Sequence, residues 1–296
     1  EQTIFCLDGT SDLVSLDLAG NINWRVNLSP KVDDGEKSFG GGLAATKNLI
    51  IATTGFGEIV ALNRHSGTIL WRHTFDSPFR SAPVVNNGNI YAVTSDDLAI
   101  AISTSGRINW TRSGPTLITS LEAGPSPAIR GNAVYMPFSG GVLHAMRASD
   151  GVSKWSVAFD RANTELARSV IGGFGGSPVV TKNYVYIVSH SGQLLSIRRN
   201  TGKIKWRAAV GGNSTPLLVG GSIFILTDLG RLVRVKASSG TLIWSRKISA
   251  NGSNSSHYGP VLGNGLLWFS GSNKRLFAYN PETGTKTFSF NVSYPA

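Results

Sequence analysis

The chain has 296 residues, of which 41% are hydrophobic and 15% charged, the balance of a globular protein with a large apolar core. Its single cysteine excludes disulfides within the chain, and the sequence contains no 18-residue apolar run that would predict a membrane-spanning helix. Lysine and arginine outnumber aspartate and glutamate by 28 to 17. The net charge of +11 suits an acidic protein, anionic lipid head groups or nucleic acid as partner, or is simply a solvated positive surface.

A five-residue motif that begins with glycine and ends with an aromatic residue returns seven times along the chain. Successive aromatics are 38 to 51 residues apart, a period typical of an array of one supersecondary unit. We predict that each aromatic is buried between neighbouring units, where replacing tryptophan by alanine costs roughly 3–5 kcal/mol. The aromatics are Trp24, Trp71, Trp110, Trp155, Trp206, Trp244 and, in a degenerate copy of the motif, Phe288.

The unit that ends at Trp110 shows the predicted elements of one repeat in order. After the pair Ala82-Pro83 comes an apolar run, then Asn87-Gly88, then a second apolar run. Asn-Gly between two such runs is the strongest local signal for a hairpin, because both turn positions need a positive φ. A third run and the motif itself complete four short antiparallel strands, with proline at the opening of the first strand. Similar pairs of a small residue and proline are Ser126-Pro127, Ser177-Pro178, Thr215-Pro216 and Gly259-Pro260.

Four-stranded antiparallel units repeated around an axis form a β-propeller, so the predicted fold class is all-β. A closed array is one unit despite its length, and we predict a single propeller domain over residues 1–296. The first repeat lacks its small–proline pair and first strand. We therefore expect the N-terminal part of the ring, with any targeting segment, to lie outside this chain.

Residue types that could act in catalysis or bind a metal ion do not cluster in this sequence. The five histidines are isolated from one another, and no carboxylate pair recurs at a spacing that suggests acid–base work. His190 and His257 lie near predicted strand ends, and Cys6 is predicted to be a small core residue. The glycine-rich segment 172–176 precedes no helix and predicts no phosphate cradle. The sequence makes no case for an enzyme, a cofactor or a metal ion.

The whole repeat, from the small–proline pair to the Ser/Thr-Gly-x-Ile-x-Trp motif, resembles the pyrroloquinoline-quinone-type propeller repeat, as residues 198–206 show. One family with this repeat, the quinoprotein dehydrogenases, holds the quinone and calcium with a vicinal disulfide and acidic and amide ligands. This chain has one cysteine and no such acidic set. A propeller that binds a small ligand in its axial funnel is therefore the alternative function.

The chain also resembles, over essentially its whole length, the BamB-type lipoproteins of the outer-membrane β-barrel assembly machinery, in the form found in alphaproteobacteria. The segments 40–44, 53–62 and 189–194 carry this resemblance. It implies an eight-bladed propeller, of which seven repeat units are visible here. It further implies a non-catalytic, monomeric scaffold at the periplasmic face of the outer membrane, tethered by a lipid anchor that is not in this chain.

The implied partners are the POTRA domains of the barrel-inserting subunit and unfolded outer-membrane proteins, with no nucleic acid. Docking in the family uses loops between blades, which correspond here to residues 116–124 and 160–176. Leu121 matches a leucine of the family contact and Arg168 matches an arginine, whereas Glu122 stands where an arginine is usual. Glycines at 173 and 175–176 replace acidic residues. A third possibility, an anionic polymer or lipid binder, predicts an affinity that falls with salt.

Overall fold

The computed structural model describes residues 2–30, 40–115, 124–159, 173–190, 192–248 and 256–292. These residues form 27 strands in seven antiparallel sheets, matching the seven repeats counted in the sequence, and contain no α-helix. The chain divides into two compact units, Glu1–Ser156 and Val157–Ala296. The first unit contains sheets 1 to 3 and nearly all of sheet 4, and the second contains sheets 5 to 7.

Within each sheet the strands follow one another in chain order. Sheet 1 is β1 (Ile4–Leu7), β2 (Asp12–Leu16) and β3 (Ile22–Asn27); sheet 2 is β4 (Gly41–Ala45), β5 (Leu49–Thr54), β6 (Glu58–Asn63) and β7 (Ile69–Thr74). Sheet 3 is β8 (Val84–Asn86), β9 (Asn89–Val93), β10 (Leu98–Ser103) and β11 (Ile108–Ser113); sheet 4 is β12 (Ala128–Arg130), β13 (Ala133–Phe138), β14 (Val142–Arg147) and β15 (Ser153–Ala158).

The second unit continues the same arrangement in three four-stranded sheets. Sheet 5 is β16 (Val179–Val180), β17 (Tyr184–Val188), β18 (Leu194–Arg198) and β19 (Ile204–Ala208); sheet 6 is β20 (Leu217–Val219), β21 (Ser222–Leu226), β22 (Arg231–Lys236) and β23 (Leu242–Lys247). Sheet 7 is β24 (His257–Gly263), β25 (Leu266–Gly271), β26 (Arg275–Tyr279) and β27 (Lys286–Asn291). A 3₁₀ turn, Ser139–Gly141, joins β13 to β14.

The central strands of sheet 2 are apolar on both faces, because a different neighbouring sheet packs against each face. Ile50 belongs to a core cluster shared with Leu13 of sheet 1, whereas the next residue, Ile51, belongs to a cluster shared with Ile100 of sheet 3. Successive strand residues point to opposite faces. The two middle strands therefore appear in the sequence as continuous apolar runs and not as an alternating pattern.

The strand boundaries agree with the turn and proline signals of the sequence, with one exception. Asn87 and Gly88 have φ values of 47° and 72°, as the hairpin prediction requires. Proline immediately precedes β8, β12, β16 and β20. Pro260 instead lies inside β24, at a register irregularity between Tyr258 and Val261 where the strand does not pair regularly with β25.

The prediction that Cys6 is a core residue is wrong, since its side chain is exposed. In β1 the side chains alternate, and Phe5 and Leu7 occupy the inward positions, where they pack against the cluster containing Leu13. Cys6 consequently shares the outward face of the strand with Ile4. A four-residue strand gives too few positions for the sequence alone to decide which face is inward.

Candidate functional site

The motif aromatics join neighbouring sheets by two repeated contacts. A Cβ built at Gly67 would lie 2.7 Å from the ring of Trp24, and the same close approach occurs four more times between a motif glycine and the preceding tryptophan. In each case the indole Nε1 donates a hydrogen bond to a carbonyl shortly before that glycine. The donor and acceptor pairs are Trp24–Arg64, Trp71–Thr104, Trp110–Ala148, Trp206–Ala237 and Trp244–Glu282, at 2.9 to 3.1 Å.

Trp155 and Phe288, the two remaining motif aromatics, have ring contacts within their own sheets. Trp155 packs against Tyr135 of its own sheet, with ring centroids 5.8 Å apart. Phe288 is 51% exposed and stacks on Phe290, and no described atom beyond its chain neighbours lies within 4 Å of a Cβ built at Gly20. Only Trp110 and Trp244 are more than nine-tenths buried. The predicted burial between sheets therefore holds to different degrees along the array.

The loops in which sequence analysis placed the partner contacts lie at the strand ends where the chain passes from one sheet to the next. Leu121, Glu122 and Arg168 themselves lie outside the described residues. The described residues do show how the first loop, between β11 and β12, is anchored. The N–H of Gly114 donates to the carbonyl of Asp97 at 2.7 Å, and a Cβ at Gly114 would meet the ring of Phe138 at 2.6 Å. The loop thus leaves sheet 3 against a fixed backbone.

Asp97 is the buried acidic group beside this anchor. It is 4% exposed, and its carboxylate accepts hydrogen bonds from the N–H of Ser139, at 2.7 Å, and from the Ser139 hydroxyl. Burial raises the pKa of Asp97 above its usual value of 3.8; the hydrogen bonds from Ser139 oppose this rise, and the neighbouring charge of Asp96 adds to it. Asp97 therefore fixes the turn between β9 and β10 to the turn that follows β13.

The second loop, between β15 and β16, is anchored by aromatic packing and by glycine. Phe159 packs edge-on against Phe174 with centroids 5.3 Å apart, and Phe174 forms a β-bridge with Ser189. A Cβ at Gly175 would lie 1.6 Å from the carbonyl oxygen of Gly212, and one at Gly176 would lie 2.4 Å from the backbone of Ser214. No side chain fits at these two positions. Backbone packing thus explains why glycine stands at both positions.

His190 connects this loop to the next one. Its backbone N–H donates to the carbonyl of Gly173 at 3.1 Å, and its Nδ1 lies 2.8 Å from Oδ1 of Asn213. Close by, the N–H of Ser177 donates to the Thr215 hydroxyl at 3.0 Å. His190 therefore supports two successive loops.

His257, the other histidine singled out in the sequence, lies between aromatic rings. Its ring is 6.0 Å from that of Phe269 and 5.9 Å from that of Phe277, measured between centroids. Burial lowers the pKa of His257 and, at another site, the pKa of His144, which packs edge-on against Phe138. Both rings are therefore held as neutral packing groups near pH 7.

In the part of the chain that the structure describes, no group of three or more histidine, cysteine, aspartate or glutamate side chains could hold a metal ion. No helix among the same residues is long and apolar enough to cross a membrane.

Comparison with known proteins decides the family. The sequence profile described as "Outer membrane protein assembly factor BamB" matches residues 9–246 and 216–295, well over half of the chain. The chain belongs to the BamB family. The resemblance seen in the repeat motifs is confirmed.

Individual members of the BamB family are distant relatives of this chain. BamB of Yersinia pestis is 24% identical over 217 residues, which are 71% of this chain and 55% of that protein. BamB of Moranella endobia is 25% identical over 174 residues, 58% of this chain and 44% of that protein. The matched region thus spans about half the length of these relatives.

Solved structures confirm that the BamB-family chain has a β-propeller fold. The crystal structure of BamB from Moraxella catarrhalis superposes with a TM-score of 0.83 at 17% identity, covering 98% of this chain and 87% of that one. A europium-containing methanol dehydrogenase gives a TM-score of 0.79 at 13% identity, covering 99% of this chain and 77% of that one. At such identities the likeness concerns the fold alone, so the dehydrogenase gives no support to a cofactor.

Proposed function

We propose that this chain is a non-catalytic scaffold of outer-membrane protein assembly, acting at the periplasmic face of the outer membrane. The observation that carries the proposal is the family match, which extends over nearly the whole chain under the description of an outer membrane protein assembly factor. The relatives from Yersinia pestis and Moranella endobia bear the same name. The partner in this proposal is the set of POTRA domains of the barrel-inserting subunit, bound by a monomer, with unfolded outer-membrane proteins as possible clients.

The geometry around the loops supports a rigid docking scaffold. The described ends of loops 116–124 and 160–176 are held by backbone hydrogen bonds and by close glycine contacts at Gly114 and Gly175. A preorganised binding surface loses less entropy on binding. In the first unit the motif tryptophans join successive sheets, as Trp71 does between sheets 2 and 3. The described ends of the loops thus offer stiff support for a docking surface.

The loop residues give the direct test of this docking mode. We expect the double substitution Leu121→Ala and Arg168→Ala to weaken POTRA binding by about 2 kcal/mol, roughly 30-fold in Kd, because apolar anchors and arginines dominate interface energies. The melting temperature should stay unchanged. Isothermal titration calorimetry with purified POTRA domains and a thermal melt measure the two quantities.

A matched control removes one leucine and one arginine from a different place. Leu18 is 65% exposed and Arg107 is exposed, and both lie in turns that join the last two strands of their sheets. The double substitution Leu18→Ala and Arg107→Ala should leave POTRA binding within twofold of the unmodified chain. If the two double variants bind the POTRA domains with equal affinity, the prediction that Leu121 and Arg168 contact the partner is wrong.

A further inference from the structure

One turn of every sheet, the turn that leads into β2, β6, β10, β14, β18, β22 or β26, holds a residue in the left-handed backbone conformation. Glycine adopts this conformation at the least cost. In four sheets the left-handed residue is a glycine, namely Gly57, Gly141, Gly192 and Gly230. In sheet 3 it is Asp97, which has a φ of 67° and is only 4% exposed. A buried acid in a conformation that glycine prefers indicates a specific role for its side chain.

The backbone of the left-handed residue holds the chain where it leaves the sheet. In sheet 3 the N–H of Gly114, the residue that follows the last strand, donates to the carbonyl of Asp97 at 2.7 Å. The corresponding hydrogen bond occurs in four other sheets, at 2.7 to 3.0 Å. The donor and acceptor pairs are Leu28–Ser11, Phe75–Gly57, Ile248–Gly230 and Val292–Lys274. This hydrogen bond thus forms the root of the segment that follows the sheet.

The residue that leaves sheet 3 differs from its counterparts in three of these sheets. Leu28, Phe75 and Ile248 each pack an apolar side chain into or against a core cluster. Gly114 has no side chain, and a Cβ built on it would lie 2.6 Å from the ring of Phe138 in sheet 4. The loop that starts at Gly114 therefore has no apolar anchor of its own at its first residue.

The side chain of Asp97 supplies a different anchor at this root. Its carboxylate accepts hydrogen bonds from the N–H of Ser139, at 2.7 Å, and from the Ser139 hydroxyl. Ser139 directly follows Phe138, the residue whose ring fills the space beside Gly114. Hydrogen bonds to a charged acceptor are stronger than those between neutral groups. The carboxylate therefore fixes the turn of sheet 3 to the part of sheet 4 against which the loop root packs.

We propose that Asp97 is a positioning residue for partner docking. Its carbonyl holds Gly114 and its carboxylate holds Ser139, so that one residue fixes the root of the loop that runs from sheet 3 to sheet 4. The inference rests on the proposed function, in which the partner contacts this same loop. A root that shifts lowers the fraction of molecules whose loop is placed for binding, and the apparent affinity falls with that fraction.

The first test measures the loop root without any partner. Asp97→Gly removes the carboxylate and keeps the carbonyl that holds Gly114, and the same turn forms with glycine in four other sheets. We expect the amide hydrogen of Gly114 to exchange at least about tenfold faster in this variant, because a hydrogen bond to a charged group shifts a local equilibrium by that factor or more. Hydrogen exchange followed by NMR measures this rate.

The second test measures the affinity for purified POTRA domains by isothermal titration calorimetry. Asp97→Gly should weaken binding at least about threefold, because fewer molecules hold the loop in its binding arrangement. Asp97→Asn keeps an oxygen that accepts the N–H of Ser139, so it should bind within about twofold of the unmodified chain. Thermal melts of both variants verify that the protein is folded at the temperature of the titration.

Ser11→Gly is the matched control, because it makes the same kind of change at the corresponding turn of sheet 1. Ser11 has a φ of 61°, is 3% exposed and accepts the N–H of Leu28 with its carbonyl. Leu28 is anchored by its own buried side chain. The control should change the exchange rate of Gly114 and the POTRA affinity by less than about twofold, since distant sites without shared partners act independently.

Three outcomes would overturn the positioning role of Asp97. The first is an unchanged exchange rate of Gly114 in Asp97→Gly, and the second is an unchanged POTRA affinity of that variant. The third is an equal loss of affinity in Asp97→Asn and Asp97→Gly, which would assign the effect to the charge and not to the link with Ser139. An absence of POTRA binding by the unmodified chain would instead contradict the proposed function, whereas the exchange rate of Gly114 tests the Asp97 link without any partner.

Discussion

The glycine of each repeat motif lies against the tryptophan of the preceding motif, at a distance that leaves no room for a methyl group. At Gly240 a Cβ would lie 2.6 Å from the ring of Trp206, whose Nε1 donates to the carbonyl of Ala237. One small residue thus sets both the ring contact and the hydrogen bond between sheets 5 and 6. The glycine and the aromatic residue recur together in the motif because the glycine of one sheet contacts the tryptophan of the preceding sheet.

We predict that Gly240→Ala destabilises the protein by about 1–3 kcal/mol more than Gly221→Ala, because a Cβ at Gly240 overpacks the Trp206 ring. Gly221 is the matched control: its φ is 74° against 78° for Gly240, and no atom lies within 4 Å of its Cβ position. Both variants bear the same left-handed backbone cost. Urea denaturation of the two variants measures the difference, and equal midpoints would contradict the role of the tryptophan contact.

The raised pKa of Asp97 predicts that the stability of the folded protein depends on pH. Because burial raises its pKa in the folded protein, the folded state holds the proton more tightly than the unfolded chain. Its contribution to stability is then complete below the usual value of 3.8 and is lost as pH rises through the raised pKa. We expect Asp97→Asn to gain stability relative to the unmodified protein as pH rises from 4 to 7.

Denaturation at several pH values, with the exposed neighbour Asp96→Asn as control, measures this trend. The Asp97→Asn variant keeps an acceptor for the N–H of Ser139, so it should fold. A stability difference that stays constant from pH 4 to 7 would contradict a raised pKa at Asp97.

At the scale of strands and sheets, Arg234 replaces the small residue that usually faces the motif aromatic. Ser15, Ala61, Ala101, Ser196 and Ala278 hold this position in their sheets. Arg234 faces Trp244 and reaches sheet 7, where its guanidinium donates to the carbonyls of Pro281 and Glu282 and to the Glu282 carboxylate. The arginine therefore connects sheets 6 and 7 through groups that a small residue cannot reach.

We expect Arg234→Ala to cost about 1–3 kcal/mol of unfolding free energy, because it leaves backbone acceptors and the Ser222 hydroxyl without a charged donor. Glu282→Gln should cost less than about 0.5 kcal/mol, since the Glu282 side chain is 74% exposed and its ion pair is screened. Guanidinium denaturation measures both variants. A larger loss for Glu282→Gln would show that the ion pair, and not the carbonyl contacts, joins the sheets.

Sequence alone predicted the elements well where a local signal specifies them. The Asn87-Gly88 turn depends on the backbone dihedrals of these two residues, which are a local property. The prolines before the first strands of four sheets are tolerated there because they lack an N–H, which is also a local property. The position of Pro260 within β24 depends on how this strand pairs with its neighbour. The outward direction of the Cys6 side chain depends on which face of β1 packs against the core. The glycine-to-tryptophan contact had a sequence signal, the joint recurrence of both residues, but the contact joins residues about 40 positions apart.

The candidate site was predicted only through resemblance. Leu121, Glu122 and Arg168 lie in loops outside the described residues, and their contact role stays a prediction. At Gly175 and Gly176 the sequence departs from the pattern that the resemblance implies, and in the structure neighbouring backbone fills the space of any side chain. Tertiary packing of this kind has no signature in a single sequence.

At the scale of the whole molecule, the array combines joined sheets with a charge that is unevenly divided between two units. The first unit is near neutral and the second carries the entire positive excess. In the proposed function the loops between sheets bind the POTRA domains.

The most direct test of the scaffold function is solution binding between this chain and the purified POTRA domains of the barrel-inserting subunit, at 50 and 300 mM salt. The proposed function predicts a Kd of about 1 μM or tighter that changes less than tenfold between the two salt concentrations, as expected for an interface with buried anchors. No binding at either salt concentration, with the folded state verified by circular dichroism, would contradict it.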